Sequence, residues 1–155
     1  MTVARTEREY DEAQRRLAEA QTFAEAQRGA LAGSGLGSDH IELAMSPLLA
    51  MQDQLQGELR WYERARQGEI RPSPQLTGIG LSLIALRIAR GFTQRGLAER
   101  LGINEAQVSK DERNEYHGIS IERAQRVLDA LDGEVTVNVR LTSGRDTQPA
   151  TVPGG

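Results

Sequence analysis

Residues 93–114 read TQRGLAERLGINEAQVSKDERN, and this stretch decides the fold of the central part of the chain. Thr93 stands where its hydroxyl can cap a helix over 94–101. Gly102 ends that helix, because glycine adopts the left-handed conformation at a helix C-terminus without steric cost. Asn104 is suited to cap the next helix. The pattern therefore predicts two short helices joined by a turn of about three residues.

Apolar side chains on both sides of this turn indicate how the two helices are held. Ala98 lies where the second helix is expected to cross closely, so a larger side chain would push the helices apart. A helix held in this way can project its N-terminal residues toward base edges in the DNA major groove. The side chains expected to anchor the pair are Leu97, Leu101, Ile103 and Val108.

The ordered set of residues resembles the Cro/CI-type, or XRE, helix-turn-helix family. The resemblance covers about residues 79–133, roughly a third of the chain. Each piece is weak alone, but the set in this order is specific. It consists of Leu83, Arg87, Gly91-Phe92-Thr93-Gln94, the run from Leu97 to Ile103, Val108-Ser109-Lys110 and Glu112-Arg113-Asn114.

The resemblance implies a set of DNA-binding residues. Gln94 matches the family's phosphate-contacting glutamine, and Arg95 lies beside it. The second helix of the pair matches the family's recognition helix, the one that enters the major groove. Arg113 and Asn114 match the end of this helix, which contacts the DNA backbone. Lys110 is the one lysine of the chain, and its ammonium group suits the O6 and N7 acceptors of guanine. The alternative for such polar residues is an ordinary solvated helix face. The positions that face bases, with their flank, are Glu105, Ala106, Gln107, Ser109 and Lys110.

Asp111 departs from the family pattern, which usually has an apolar residue at this position. A carboxylate buried under the recognition helix without a partner would be costly. Its predicted partner is Arg87, Arg90 or the Tyr116 hydroxyl; alternatively, a small rotation of the helix exposes it. Either solution leaves the register of the base-facing residues open.

The charge of residues 78–133 is balanced, and the whole chain has a net charge of -3. A neutral domain should bind DNA weakly as a monomer, so we expect dimerisation. The balance also leaves open an interaction module that has lost DNA binding. The eight basic residues are Arg87, Arg90, Arg95, Arg100, Lys110, Arg113, Arg123 and Arg126, and the eight acidic residues are Glu99, Glu105, Asp111, Glu112, Glu115, Glu122, Asp129 and Asp132.

Residues 6–68 are predicted to form an antiparallel hairpin of two long helices. Apolar residues recur every three or four positions on each side of a glycine-rich break at 33–39. Ser46 is predicted to cap the second helix, with Pro47 at its first position, where a missing N–H does no harm. We expect the hairpin to serve as a dimer arm or to bind a partner.

The rest of the chain is predicted to be a linker at 69–77 and a short C-terminal region. Residues 134–141 alternate apolar and polar side chains, which is typical of a half-buried β-strand. We expect this strand to pair with its copy across a dimer. Residues 142–155 are predicted to be a disordered tail. The expected fold is mainly α: a hairpin, a compact helix-turn-helix domain at 78–133 and one dimerising strand.

Nothing in the sequence indicates catalysis. His40 and His117 lie far apart, neither has metal-ligand spacing around it, and the chain has no cysteine. The glycine-rich run at 33–37 lacks the Lys-Ser/Thr ending of a phosphate-binding loop. We expect no enzyme activity, no cofactor and no metal. The apolar stretches are far shorter than the roughly 18 residues of a membrane span, so a cytoplasmic protein is expected.

Two functions from different classes follow from these observations. The first is a sequence-specific transcriptional regulator, a repressor that binds an inverted-repeat operator in double-stranded DNA as a homodimer. The second is an antitoxin, which neutralises a partner toxin protein and autoregulates its operon. The second rests on the family, which includes many antitoxins, and not on any residue of this chain.

Overall fold

Helices make up most of the computed structural model, which describes residues 2–142. The mainly α fold is confirmed. A short 3-10 turn, Leu76–Gly78, precedes the third helix. The six α-helices in the described residues are α1 (Glu7–Gly33), α2 (Ser38–Arg66), α3 (Ile79–Ala89), α4 (Gln94–Leu101), α5 (Glu105–Arg113) and α6 (Ile121–Ala130).

The first two helices form the antiparallel hairpin. The Tyr10 hydroxyl donates to Glu63 Oε1 at 2.7 Å near its base, and Arg28 Nη1 donates to Glu42 Oε1 at 2.5 Å near its tip. Small side chains form the buried side of α1, since its buried residues are all alanines. The buried residues along the hairpin include Ala13, Ala20, Ala24, Met45, Leu55 and Leu59.

The start of α2 differs from the sequence prediction, since the helix begins at Ser38 and runs through Pro47 without a break. Proline has no N–H to give to the carbonyl four residues earlier, which is that of Leu43. The Ser46 hydroxyl donates to this Leu43 carbonyl at 3.0 Å. Ser46 therefore does not cap a helix here; it supplies a hydrogen bond that Pro47 cannot make.

The hairpin and the C-terminal helices share one apolar core. Ala4, Tyr62 and Ala65 pack in the same buried cluster as side chains of α3, α4 and α6. Tyr10 also stacks on Tyr62, with ring centroids 4.9 Å apart. The base of the hairpin is thus joined to the rest of the chain by apolar contacts as well as by the linker.

The third helix lies at the centre of this core. Leu83, Ile84 and Ala85 are buried in α3, and Gly91 turns the chain after it at a φ of 73°.

Within residues 2–142, no single helix is long and apolar enough to cross a membrane. The segment Leu76–Ala89 and helix α4 meet that test only as a pair, which is bent by 103°.

The β-strand predicted at 134–141 is wrong for the single chain, because the described residues contain no strand. A strand needs a neighbour for its backbone N–H and C=O groups, and residues 2–142 offer none. The apolar side chains of this segment are exposed, from 44% for Val135 to 99% for Leu141. The predicted disordered tail lies, from residue 143 onward, outside the described residues.

Candidate nucleic-acid interface

The turn between α4 and α5 has the geometry that its sequence predicts. The Thr93 hydroxyl accepts from the Gly96 backbone N–H at 3.0 Å and caps α4. Gly102 has a φ of 68° and ends that helix in the left-handed conformation. The Asn104 side chain then accepts from the Gln107 backbone N–H at 2.8 Å and caps α5. These three local features fix the angle at which α5 leaves α4.

Apolar contacts hold the inner sides of α4 and α5 against the core. Leu97 and Val108 are almost fully buried, and Ala98 is 2% exposed at the point where the helices meet. A larger side chain at Ala98 would therefore separate them. Ile103, predicted as an anchor of the turn, is 39% exposed and contributes less.

A buried ion pair fixes α5 to α3. The Arg87 guanidinium donates from Nε to Glu112 Oε1 at 2.5 Å and from Nη2 to Glu112 Oε2 at 2.8 Å. Both side chains are inaccessible to solvent, at 3% and 0% exposed. Arg87 also donates to the carbonyls of Phe92 and Arg5, at 2.7 and 2.8 Å. One guanidinium thus ties α5, the turn before α4 and the segment before α1 together.

The outer face of α5 presents polar side chains to solvent. Lys110, Arg113 and Asn114 are exposed, as are Glu105 and Ala106 at the start of the helix. The structure thus brings the predicted base-facing and backbone-facing residues onto one surface, with Ser109 and Gln107 half-buried at its edges. The inner side of α5 is therefore fixed to the core, and its polar outer side is exposed to solvent. A helix that enters a DNA groove needs both features.

Comparison with known protein families agrees with this geometry. A helix-turn-helix family model matches residues 83–137. Residues 83–137 form a helix-turn-helix domain of the Cro/CI (XRE) type. Neither a search of curated proteins nor a search of solved structures found a match. The helix-turn-helix match supports a DNA-binding transcription regulator.

Several predicted contact residues of the helix-turn-helix domain are held by local hydrogen bonds. Gln94 donates from Nε2 to Glu112 Oε2 at 2.8 Å, so one of its amide hydrogens points inward and the other remains for a phosphate. Arg113 donates to the Ser109 hydroxyl at 3.3 Å. The Asn114 amide donates to the His117 carbonyl at 3.3 Å, beyond the end of α5. These bonds limit the rotamers of side chains predicted to contact DNA.

Arg95 faces away from the buried network of the domain. Its Nε lies 3.3 Å from Glu99 Oε1, and both side chains are at least 70% exposed. An ion pair this exposed to water contributes little free energy, so Arg95 can move away from Glu99 with little loss of stability. The side chain of Lys110 makes no hydrogen bond or ion pair within residues 2–142.

Asp111 is accommodated by partners that the sequence analysis did not select. Its carboxylate accepts from Arg123 Nη2 at 2.8 Å and from Gln107 Nε2 at 2.8 Å. The three predicted partners, including Arg87, were wrong. The Asp111 side chain is 18% exposed. A pair with a neighbouring helix, α6, thus replaces the apolar contact that the family usually makes.

Tyr116 follows α5 in a left-handed conformation, with a φ of 54°. Its ring is buried, and its hydroxyl has no hydrogen-bond partner in the described residues. Burial raises the pKa of Tyr116 above the ordinary value for a phenol, and the nearby Glu112 carboxylate raises this pKa further. The phenol therefore stays neutral beneath the recognition helix.

The sequence alone did not pair the two residues that fix α5 to α3. Glu112 was noted only as part of the family pattern, and Arg87 was offered as a partner of Asp111 and not of Glu112. The signal available was a single arginine inside the apolar run LSLIALRIA at 81–89, since a charged residue in a buried helix needs a partner. Nothing in the sequence identified Arg5, whose Nη1 donates to the Glu112 carbonyl at 3.1 Å.

Proposed function

We propose that this protein is a sequence-specific transcriptional repressor that acts in the cytoplasm, binds an inverted-repeat operator as a homodimer and has no enzymatic activity. The observation that carries the proposal is the division of α5 into two sides. Its inner side is fixed by the Arg87–Glu112 pair, and its outer side exposes Lys110 and Arg113. A rigid helix with an exposed polar face reads base edges, whereas a partner-binding helix usually exposes apolar anchors.

The two basic side chains on α5 have different proposed tasks. Lys110, on the exposed middle turn, donates to the O6 and N7 acceptors of guanine. Arg113, at the end of the helix, contacts a phosphate and adds affinity without sequence preference. Ala106 lies on the same exposed face and suits apolar contact with a thymine methyl group.

Homodimerisation supplies the affinity that one neutral domain lacks. Two recognition helices separated by about 34 Å reach successive major grooves on one face of the duplex. Exposed apolar side chains are available for a subunit contact in the segment after α6. They are Val135, Val137, Val139 and Leu141.

The second candidate function is that of an antitoxin, in which the hairpin would bind the toxin. Large apolar side chains are exposed on α1, on α2 and in the loop between them, and such side chains can serve as a protein-binding surface where they form one patch. A toxin bound there would leave α5 free for autoregulation. The exposed residues are Phe23, Leu36, Leu43, Leu49 and Met51.

A binding-site selection experiment tests the proposed function. Random double-stranded DNA is enriched on the purified protein, and the selected sequence is then measured in gel shifts at two salt concentrations. We expect an inverted repeat with half-sites about one helical turn apart, bound at least about 10³-fold more tightly than random DNA. Recovery of no consensus, with equal affinity for all DNA, would contradict the proposal. A toxin gene beside this gene would favour the antitoxin instead.

A further inference from the structure

A cleft lies where the base of the hairpin meets the helix-turn-helix domain. Its volume is about 320 Å³. Its lining includes Arg5, from the segment before α1, and Arg66, at the end of α2. Gln94 and Glu105, at the starts of α4 and α5, also line it. The hairpin base therefore borders the residues predicted to contact DNA.

Arg66 brings an uncommitted guanidinium to this cleft. Its side chain makes no hydrogen bond or ion pair within residues 2–142, and its guanidinium carbon lies 6.0 Å from the ring centroid of Tyr62. The contact with an aromatic ring holds a guanidinium in place but leaves its N–H donors unused. The last turn of α2 therefore presents several free donors to the cleft.

Arg5 adds a second guanidinium, and most of it is fixed. Its side chain is 16% exposed, and one nitrogen donates to the Glu112 carbonyl at 3.1 Å. Its Nε is buried without a hydrogen bond, 3.7 Å from Glu9 Oε2. A guanidinium has five N–H donors, so Arg5 retains donor capacity that the described residues do not use.

The cleft is rich in donors but has no large excess of charge. Glu7 and Glu105 also line it, and their carboxylates lower its positive potential. The starts of α1 and α4, capped by Thr6 and Thr93, add partial positive charge at its edge. Several N–H donors that line one cleft with little excess charge suit one phosphate group held by hydrogen bonds, rather than a long run of phosphates.

We propose that this cleft binds a phosphate of the DNA backbone, with Arg66 and Arg5 as its donors beside Gln94. The proposal rests on the proposed function and extends the DNA-binding surface from the helix-turn-helix domain to the hairpin base. The helix-turn-helix domain has balanced charge, whereas residues 60–71, at the hairpin base beside it, have more basic than acidic residues. In that segment Arg60, Arg64, Arg66 and Arg71 outnumber Glu63 and Glu69.

The test is the salt dependence of DNA binding by Arg66→Ala. Loss of one phosphate contact should reduce the slope of log affinity against log salt by about 1 and weaken binding about threefold at moderate salt. The loss should be equal for the selected operator and for random DNA. Arg66→Lys should restore part of the affinity, because it restores the charge. Arg16→Ala, at an exposed position on α1, is the matched control and should bind like the wild type.

A second measurement identifies the source of the phosphate. Thermal unfolding of the wild type and of Arg66→Ala is recorded without DNA, in inorganic phosphate and in chloride at equal ionic strength. If Arg66→Ala bound DNA with unchanged slope and affinity, the proposal would be overturned, while the proposed function would stand. Suppose instead that Arg66→Ala binds DNA like the wild type, and that inorganic phosphate stabilises the wild type but not Arg66→Ala. The cleft would then be assigned to a free phosphate compound and not to DNA. A wild type that binds no DNA would overturn both proposals.

Discussion

Arg87 and Glu112 form a two-point ion pair across 25 positions of sequence, and this pair fixes the recognition helix to the core. The carboxylate of Glu112 also accepts from Gln94, and its backbone carbonyl accepts from Arg5. Three other segments of the chain, namely α3, the start of α4 and the segment before α1, thus meet at one buried residue of α5. The orientation of the face proposed to read DNA therefore depends on Glu112, a residue that is fully buried.

Removal of one partner of this pair should destabilise the protein strongly. Glu112→Ala leaves the Arg87 guanidinium buried without its counter-ion, and a cost of about 3–5 kcal/mol is expected. The double variant Arg87→Met/Glu112→Leu should lose less stability than Glu112→Ala, because it leaves no buried charge. Urea unfolding monitored by circular dichroism measures both. Equal losses in the single and double variants would show that the charge pair is not what fixes α5.

The shared core predicts that the hairpin and the helix-turn-helix domain unfold together. Trp61 is the one tryptophan of the chain and packs against the shared cluster from the hairpin side. Its fluorescence and the helical circular dichroism should therefore give one coincident thermal transition. Tyr62→Ala should lower both midpoints together, at a cost of about 3 kcal/mol. A fluorescence transition that moves alone would mean that the hairpin is an independent unit.

Substitutions of the two partners in the Asp111–Arg123 pair should change the unfolding free energy differently. Arg123→Ala leaves a largely buried carboxylate with Gln107 alone, and we expect a loss of roughly 1 kcal/mol, since Arg123 itself is partly exposed. Asp111→Leu removes that carboxylate and fills a cavity of about 80 Å³ lined by Leu101 and Val108. This variant should match or exceed the wild type in unfolding free energy. A larger loss for Asp111→Leu than for Arg123→Ala would refute the assignment.

Tyr116 predicts a change in stability at alkaline pH. Because burial raises the pKa of Tyr116, the unfolded chain loses its phenolic proton first, near pH 10, while the native phenol stays protonated. Stability is therefore complete below pH 10 and falls as the pH rises above it. Tyr116→Phe should weaken this fall and should not destabilise the protein at pH 7, because the hydroxyl lacks a partner in residues 2–142. A loss above about 1 kcal/mol at pH 7 would reveal a partner for the hydroxyl.

Local rules of sequence predicted the turn and its caps because those features depend on neighbouring residues. Thr93, Gly102 and Asn104 each act within four residues of their own position. The same kind of rule failed at Pro47, where the Ser46 hydroxyl supplies the bond that proline cannot. A local signal for a helix start was thus overridden by a second local interaction.

Interactions between distant residues were beyond the reach of the sequence pattern. The partner of Asp111 comes from α6, and the pattern does not show which of the basic residues packs against that face. The alternation at 134–141 is typical of a strand, but a strand also needs a neighbour, which residues 2–142 do not provide. The network around Glu112 likewise depends on the path of the segment before α1, which the sequence does not reveal.

Operator binding by two variants of α5 tests the central claim most directly. Lys110→Ala and Arg113→Ala are compared with the wild type on the selected operator and on random DNA, across a series of salt concentrations. Lys110→Ala should cost about 1–3 kcal/mol on the operator and relax preference at one base pair. Arg113→Ala should weaken binding to both DNAs alike and reduce the salt slope by about 1. Wild-type binding by both variants, on both DNAs, would contradict the assignment of α5 as the helix that reads DNA.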